Sequence, residues 1–277
     1  MIISPSAITP YKIPTFQSGG GSGFDPDAQA YITALGADAT ISEYINTMFL
    51  GFKGIGTTNG TNFYSKLRAV YPMSPSDAST ISTDTTKWNA VNPLDTDAAF
   101  RLSFFNDPIY SLTNGLEQNG SGNSYVNTHF IESSNMVAGN NGLTLAIKNS
   151  PDFPNNYAAG DQTIFSVRQG GTKYLIYSGS ELISTGVGPN GIITISRRSS
   201  TDMEAYYNGV SVGTNTNLSN TQSNASIFLQ GVNNGAGSPA DYHEGDTDFA
   251  VIHDGLTDNE AKDLYDVITT WRTNLGR

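Results

Sequence analysis

The chain has 277 residues, no cysteine, and 14 basic against 25 acidic side chains, for a formal charge of −11. Those figures exclude disulfides, thiolate metal sites and thiol nucleophiles, and they disfavour a duplex nucleic-acid binder that works by neutralising phosphates. Only 14% of residues are charged, against roughly 25% in ordinary globular chains, so Asn, Ser, Thr and Gly carry the polarity, as in exposed β-proteins more than in cytosolic enzymes.

Residues 1–24 read as an extended arm. Pro5, Pro10 and Pro14 punctuate a stretch holding Ile2, Ile3, Ile8, Tyr11, Ile13 and Phe16, and a hinge of four glycines and one serine at 19–23 ends it. A purely solvated tail rarely carries six large apolar groups, which marks them as candidate partner-binding residues that order against another protein. The leading Met1-Ile2-Ile3-Ser4-Pro5 lacks the basic and apolar regions of an export signal. No run approaches the ~20 apolar residues of a bilayer span, so membrane insertion is not expected.

Residues 25–96 read as a helical region and connector. Asp25-Pro26 supplies an N-cap and a preorganised first turn, Ala28, Tyr31, Ile32 and Leu35 share a helical face, and Gly36 closes the segment. A second helix starts near Thr40 or Ser42 and uses Ile41, Tyr44, Ile45, Met48 and Phe49. The spacing of Phe63, Leu67 and Val70 predicts a third over 62–71.

From 97 to 277 the period switches to two. Strands are predicted at 98–105, 125–131, 143–148, 163–168, 173–177, 192–197, 203–207, 225–229 and 249–253, separated by Gly, Asn, Pro and Ser clusters. Gly170-Gly171 marks a tight hairpin. Many short strands at regular spacing indicate a mainly β fold, an antiparallel two-sheet sandwich or jelly roll. Thr257 and Glu260 form a capping box that opens a C-terminal helix, striped by Ala261, Leu264, Tyr265, Ile268, Trp271 and Leu275.

Two segments carry a resemblance. The run from Glu204 to Gly213, an aromatic strand followed by Asn208-Gly209 and Val-Ser-Val-Gly, resembles a hairpin of laminin-G-like and concanavalin A-like jelly rolls. Asp248–Glu260 resembles their final strand and short helix. The ordered series through 27–32, 45–47, 64–73, 87–89, 92–101 and 269–277 is similar to structural proteins of tailed bacteriophages, in which a helical preamble precedes such a sandwich. That resemblance implies a virion component (a head fibre, capsid decoration or tail protein) with other virion proteins as partners, homo-oligomeric assembly, and the arm as anchor. Localisation in the virion, after assembly in the host bacterial cytoplasm, would follow.

Catalysis is not expected. Glu244-Gly245-Asp246-Thr247-Asp248 lacks the third acid of a laminarinase-like pattern, and neither a nucleophile elbow nor a phosphate-binding loop occurs. Asp95-Thr96-Asp97 reads as a cap entering a strand, with Arg101 paired to a nearby acid. No cofactor is expected. His243 with Asp241, Glu244, Asp246 and Asp248 offers oxygen and nitrogen ligands to a divalent ion, and the laminin-G-like resemblance implies calcium as that ion, but no Asp-x-Asp-x-Asp-Gly loop occurs and loop polarity is the favoured reading. Arg197 and Arg198 alternate onto opposite faces, which argues against a basic patch. Tyr174, Tyr177, Tyr206 and Tyr207 are the candidate glycan or interface residues, because tyrosine stacks on sugar rings while its hydroxyl bonds theirs. The alternative to virion assembly is thus an adhesin module recognising host surface glycans.

Overall fold

The computed structural model describes residues 23–57, 62–150, 156–160, 165–170, 173–178, 181–185, 190–219 and 221–277. Its helices are α1 (Pro26–Leu35), α2 (Ala39–Gly54), α3 (Thr83–Thr86), α4 (Glu132–Asn135) and α5 (Asp258–Asn274). The Asp25 carboxylate accepts from the amides of Asp27 and Ala28 to start α1, and Gly36 ends it at φ 68°. In α5 the capping box forms between Thr257 and Glu260. These ends were legible because each is a side-chain bond to an otherwise unpaired amide.

The strands are β1 (Leu67–Tyr71), β2 (Ser103–Phe105), β3 (Ile109–Ser111), β4 (Gly115–Glu117), β5 (Tyr125–Ile131), β6 (Asn141–Lys148), β7 (Asn156–Gly160), β8 (Phe165–Gly170) and β9 (Lys173–Ser178). They continue with β10 (Glu181–Thr185), β11 (Gly191–Ser199), β12 (Asp202–Tyr207), β13 (Val210–Asn215), β14 (Ser226–Leu229), β15 (Gly231–Asn233), β16 (Pro239–Tyr242) and β17 (Asp246–His253). An eight-stranded sheet runs β13-β12-β11-β6-β17-β4-β3, with β1 also on β17. A seven-stranded sheet runs β10-β9-β8-β7-β14-β5-β2, and β15-β16 form a separate hairpin. The chain crosses between the large sheets after β1, β2, β4, β5, β6, β10 and β13 and returns to the larger one at β17, which makes the fold an antiparallel jelly-roll sandwich. Asn208 and Gly209 have φ of 52° and 74°, the paired positive values of a type I′ turn between β12 and β13.

Two segments depart from the sequence reading. Residues 62–71 are not a helix: a 3-10 turn at Phe63–Lys66 leads into β1, which pairs antiparallel with β17 from Leu67 opposite His253 to Tyr71 opposite Ala250. Its residues satisfy a helical period, but both faces of the segment are buried. Ala69 and Tyr71 enter the core between the sheets, while Leu67 and Val70 enter the helical layer. The expected strand at 98–105 shrinks to β2, because Asp97–Ala99 is a 3-10 turn and Phe100 sits left-handed at φ 62°. Of the hairpin expected at Gly170-Gly171, Gly170 pairs with Lys173 at the end of β8, and Gly171 lies outside the described residues.

Two cores follow from strand alternation. Leu143, Leu145, Ile147, Ile193, Ile195, Ala250 and Ile252 of the larger sheet meet Val126, Phe130, Ile227 and Leu229 of the smaller. The opposite face of the larger sheet, through Ala146, Ile192, Tyr206, Phe249 and Val251, packs under α1, α2 and α5. A Cβ on Gly51 would lie 2.9 Å from Val267, so glycine is what lets α2 approach α5 this closely. The helical layer therefore covers one outer face of the sandwich.

Candidate functional site

The outer face of the seven-stranded sheet lies on the side of the sandwich away from the helices. Along β5, Val126, Thr128 and Phe130 are buried and point inward, so Tyr125, Asn127 and His129 point outward. Register brings partners beside them: Phe105 of β2 lies opposite Tyr125, and Phe228 of β14 lies opposite Asn127. Phe105 and Tyr125 stack with centroids 4.7 Å apart and planes 4° from parallel. Phe228 covers Tyr125's other side at 4.9 Å and 30°. These separations match the ~4.8 Å spacing of paired strands, so the sheet itself sets the pitch of the aromatic row.

The row ends at Phe105, which is 39% exposed and lies on the edge strand. Tyr242 of β16 adds a tilted ring 6.5 Å from Tyr125. Gly231 lets the two strands of that hairpin close on each other, since a Cβ there would stand 2.8 Å from the Asp241 carbonyl oxygen. Beyond Phe105 the chain turns through Asn106 and Asp107, both left-handed at φ 60° and 49° and both exposed. The Asn106 amide donates to the Asn123 carbonyl at 2.9 Å, and the Asn119 amide donates to the Asn123 side-chain oxygen at 2.9 Å. An aromatic edge is thus bordered by three asparagines bonded to one another and by the Asp107 carboxylate.

Further along β5, His129 is left-handed at φ 57° within the strand, a conformation uncommon for non-glycine residues that histidine adopts more readily than most. Its amide donates to Asn127 Oδ1 at 2.8 Å. Its Nε2 lies 2.8 Å from Ser103 Oγ and 3.5 Å from Asp97 Oδ1. Burial holds the imidazole below its ordinary pKa, against the opposing effect of Asp97. Serine and carboxylate both approach the same ring nitrogen, whereas a nucleophilic relay needs the carboxylate on the other one. Arg101 bonds Asp95 at 3.0 Å and Asp97 at 2.7 Å, as the sequence implied, so this end of the face is a compensated ion cluster.

The tyrosines singled out from sequence do not form a site together. Tyr174 and Tyr177 lie on β9 in the smaller sheet, and Tyr206 and Tyr207 on β12 in the larger, because the chain changes sheets after β10. The side chains of Tyr174 and Tyr177 lie outside the described residues. So do Ile2, Ile3, Ile8, Tyr11, Ile13 and Phe16 of the arm. Tyr206 is 1% exposed beneath α5, where its hydroxyl donates to Asp258 at 2.9 Å and accepts from Arg198 at 3.1 Å. It presents nothing to a ligand, which corrects its assignment as a contact residue. Tyr207 packs half-buried against the core between the sheets. Arg197 and Arg198 do split: Arg197 is buried, while Arg198 reaches Asp202, Glu204 and Asp258.

The rim acids separate as well. Asp246 accepts from Asn149 at 2.6 Å, and burial pushes its pKa up to about 6. Asp248 is wholly buried and pairs with Arg272 at 2.9 Å, with burial raising its carboxyl. His243 is enclosed. Among the described residues no group of three or more His, Asp or Glu is placed to hold a metal ion, so the acids considered for calcium do not converge.

The stacked row was missed because it joins residues 105, 125 and 228, and pairing over such separations is invisible in one sequence. The available signal was Tyr125 opening an alternating strand, which fixes it outward.

No protein-family model and no curated protein matches the sequence. Among solved structures, domain 4 of AbnA, a GH43 extracellular arabinanase from Geobacillus stearothermophilus in complex with arabinotriose, is 16% identical with a TM-score of 0.44, over 72% of this chain and 98% of that one. The binding domain of Paraclostridial Mosquitocidal Protein 1 is 11% identical with a TM-score of 0.47, over 73% and 52%. The CBM40 of the Ruminococcus gnavus IT-sialidase, bound to α2,3 sialyllactose, is 12% identical with a TM-score of 0.36, over 46% and 82%. With each TM-score below 0.5, the sandwich is assigned from this chain's own strand pairing.

Proposed function

We propose that this protein is a non-catalytic glycan-binding sandwich that takes sugar at the Phe105 edge of the outer face of its seven-stranded sheet. One observation carries the reading: an aromatic row on the face opposite the helices, ending in an exposed phenylalanine beside the exposed Asn106 amide. Aromatic faces attract the C–H face of a pyranose, and amides both donate to and accept from its hydroxyls. The virion setting implied by resemblance, with capsid or tail partners and self-assembly, is compatible with such a module. It adds the arm as anchor, of which residues 1–22 lie outside the described residues.

A glycan array tests the reading with the full chain and its Phe105→Ala variant. Binding to a coherent set of glycans is expected, lost or weakened by about tenfold in the variant, which corresponds to ~1.4 kcal/mol. Circular dichroism should report an unchanged fold, since Phe105 is exposed. Array-wide absence of binding by the full chain would remove the proposal.

A further inference from the structure

Resting on that reading, we infer that the site takes a single terminal neutral pyranose, stacked on the outward face of Phe105, and does not run along a polysaccharide chain. Tyr125 has no ring face left to offer. Phe105 lies parallel on one side at 4.7 Å, and Phe228 occupies the other at 4.9 Å. A ligand passing over the row would meet ring edges, which carry the positive end of the aromatic quadrupole and do not attract C–H groups. Phe105 differs because β2 ends its sheet. Among the described residues no second ring stacks on it, and it is 39% exposed. A sugar docked there becomes the next member of the row, and one stacking surface accommodates one ring.

The surroundings select for a neutral sugar. Exposed Asn106 and Asp107 follow Phe105 directly, and an amide with a carboxylate suits adjacent hydroxyls as donor and acceptors. The same carboxylate, on a chain of net charge −11, repels a uronic or sialic acid. The left-handed Asn106 and Asp107, with the Asn119–Asn123 bond behind them, fix this corner before a ligand arrives.

Calorimetric titration of the full chain tests the inference. The probes are the neutral methyl glycoside matching the best array hit, its linear oligomers up to the hexasaccharide, and the corresponding uronic acid. Methyl glycoside and hexasaccharide are expected to bind within about threefold of each other, and the uronic acid at least about tenfold more weakly. Phe105→Ala should abolish binding of the monosaccharide, and Phe105→Trp should retain it. Affinity that climbs about tenfold from monosaccharide to hexasaccharide, or equal binding of the acid, overturns the inference while leaving glycan binding intact. Absence of binding to every glycan on the array overturns both.

Discussion

His253, the last residue of β17, has no exposed surface. Its Nδ1 donates to the Asp254 carbonyl oxygen at 2.7 Å, and its Nε2 lies 2.9 Å from the Thr144 hydroxyl, which in turn lies 2.9 Å from Thr194. The ring fills space that Gly142 leaves open, where a Cβ would stand 2.1 Å from it. A neutral imidazole satisfies both contacts, and burial depresses the pKa to about 4, with Lys66 adding to that and Asp254 and Glu260 opposing it. The unfolded chain takes up the proton near 6.5, whereas the folded chain resists until about 4. The stabilisation is therefore fully present above about pH 6.5 and is lost as pH falls toward 4. Buried His243, depressed to about 3, acts in the same direction. Asp246, raised to about 6, acts in the opposite one. A His253→Gln variant isolates the first contribution, because the other two groups are common to both proteins. Urea unfolding at about pH 7 and about pH 4.5 should show the wild type losing more stability on acidification than the variant; equal losses would contradict this account of His253.

At the scale of elements, the sequence resolved what local bonds determine and missed what distant pairing determines. Caps at Asp25 and Thr257 and the Asn208-Gly209 turn were legible because each is completed within a few residues. The β1 strand was not, since Phe63, Leu67 and Val70 satisfy a helical period while the deciding bonds come from β17, some 180 residues later. Tyr206 fails for a related reason: strand alternation sends it and Tyr207 to opposite faces, but only tertiary structure reveals that α5 covers its side. That helix does more than decorate the sandwich. Trp271, 1% exposed, bridges α5 to the segment after β1 by donating its indole N–H to the Pro72 carbonyl at 3.1 Å. Trp271→Ala is expected to cost about 3–5 kcal/mol in chemical denaturation. A loss below about 1 kcal/mol would mean the helical layer is only loosely attached.

Viewed as a whole molecule, the protein has three layers, helices on one sheet and that sheet on another. Packing the helical layer against the eight-stranded sheet covers that face, and the proposed recognition therefore falls to the seven-stranded sheet and its edges. A mainly β sandwich with a C-terminal helix was readable from strand spacing and the final capping box. Which face stays available was not, because that depends on where α1, α2 and α5 land. The most direct test of a sugar seated at the Phe105 end is aromatic-ring NMR, with Phe and Tyr side chains isotope-labelled and the protein titrated with the neutral methyl glycoside that the array selects. The Phe105 ring resonances should move most and those of Tyr125 and Tyr242 less, while the inward-facing Phe130 stays fixed. Saturable binding that leaves Phe105, Tyr125 and Tyr242 unmoved would place the sugar elsewhere and contradict the account.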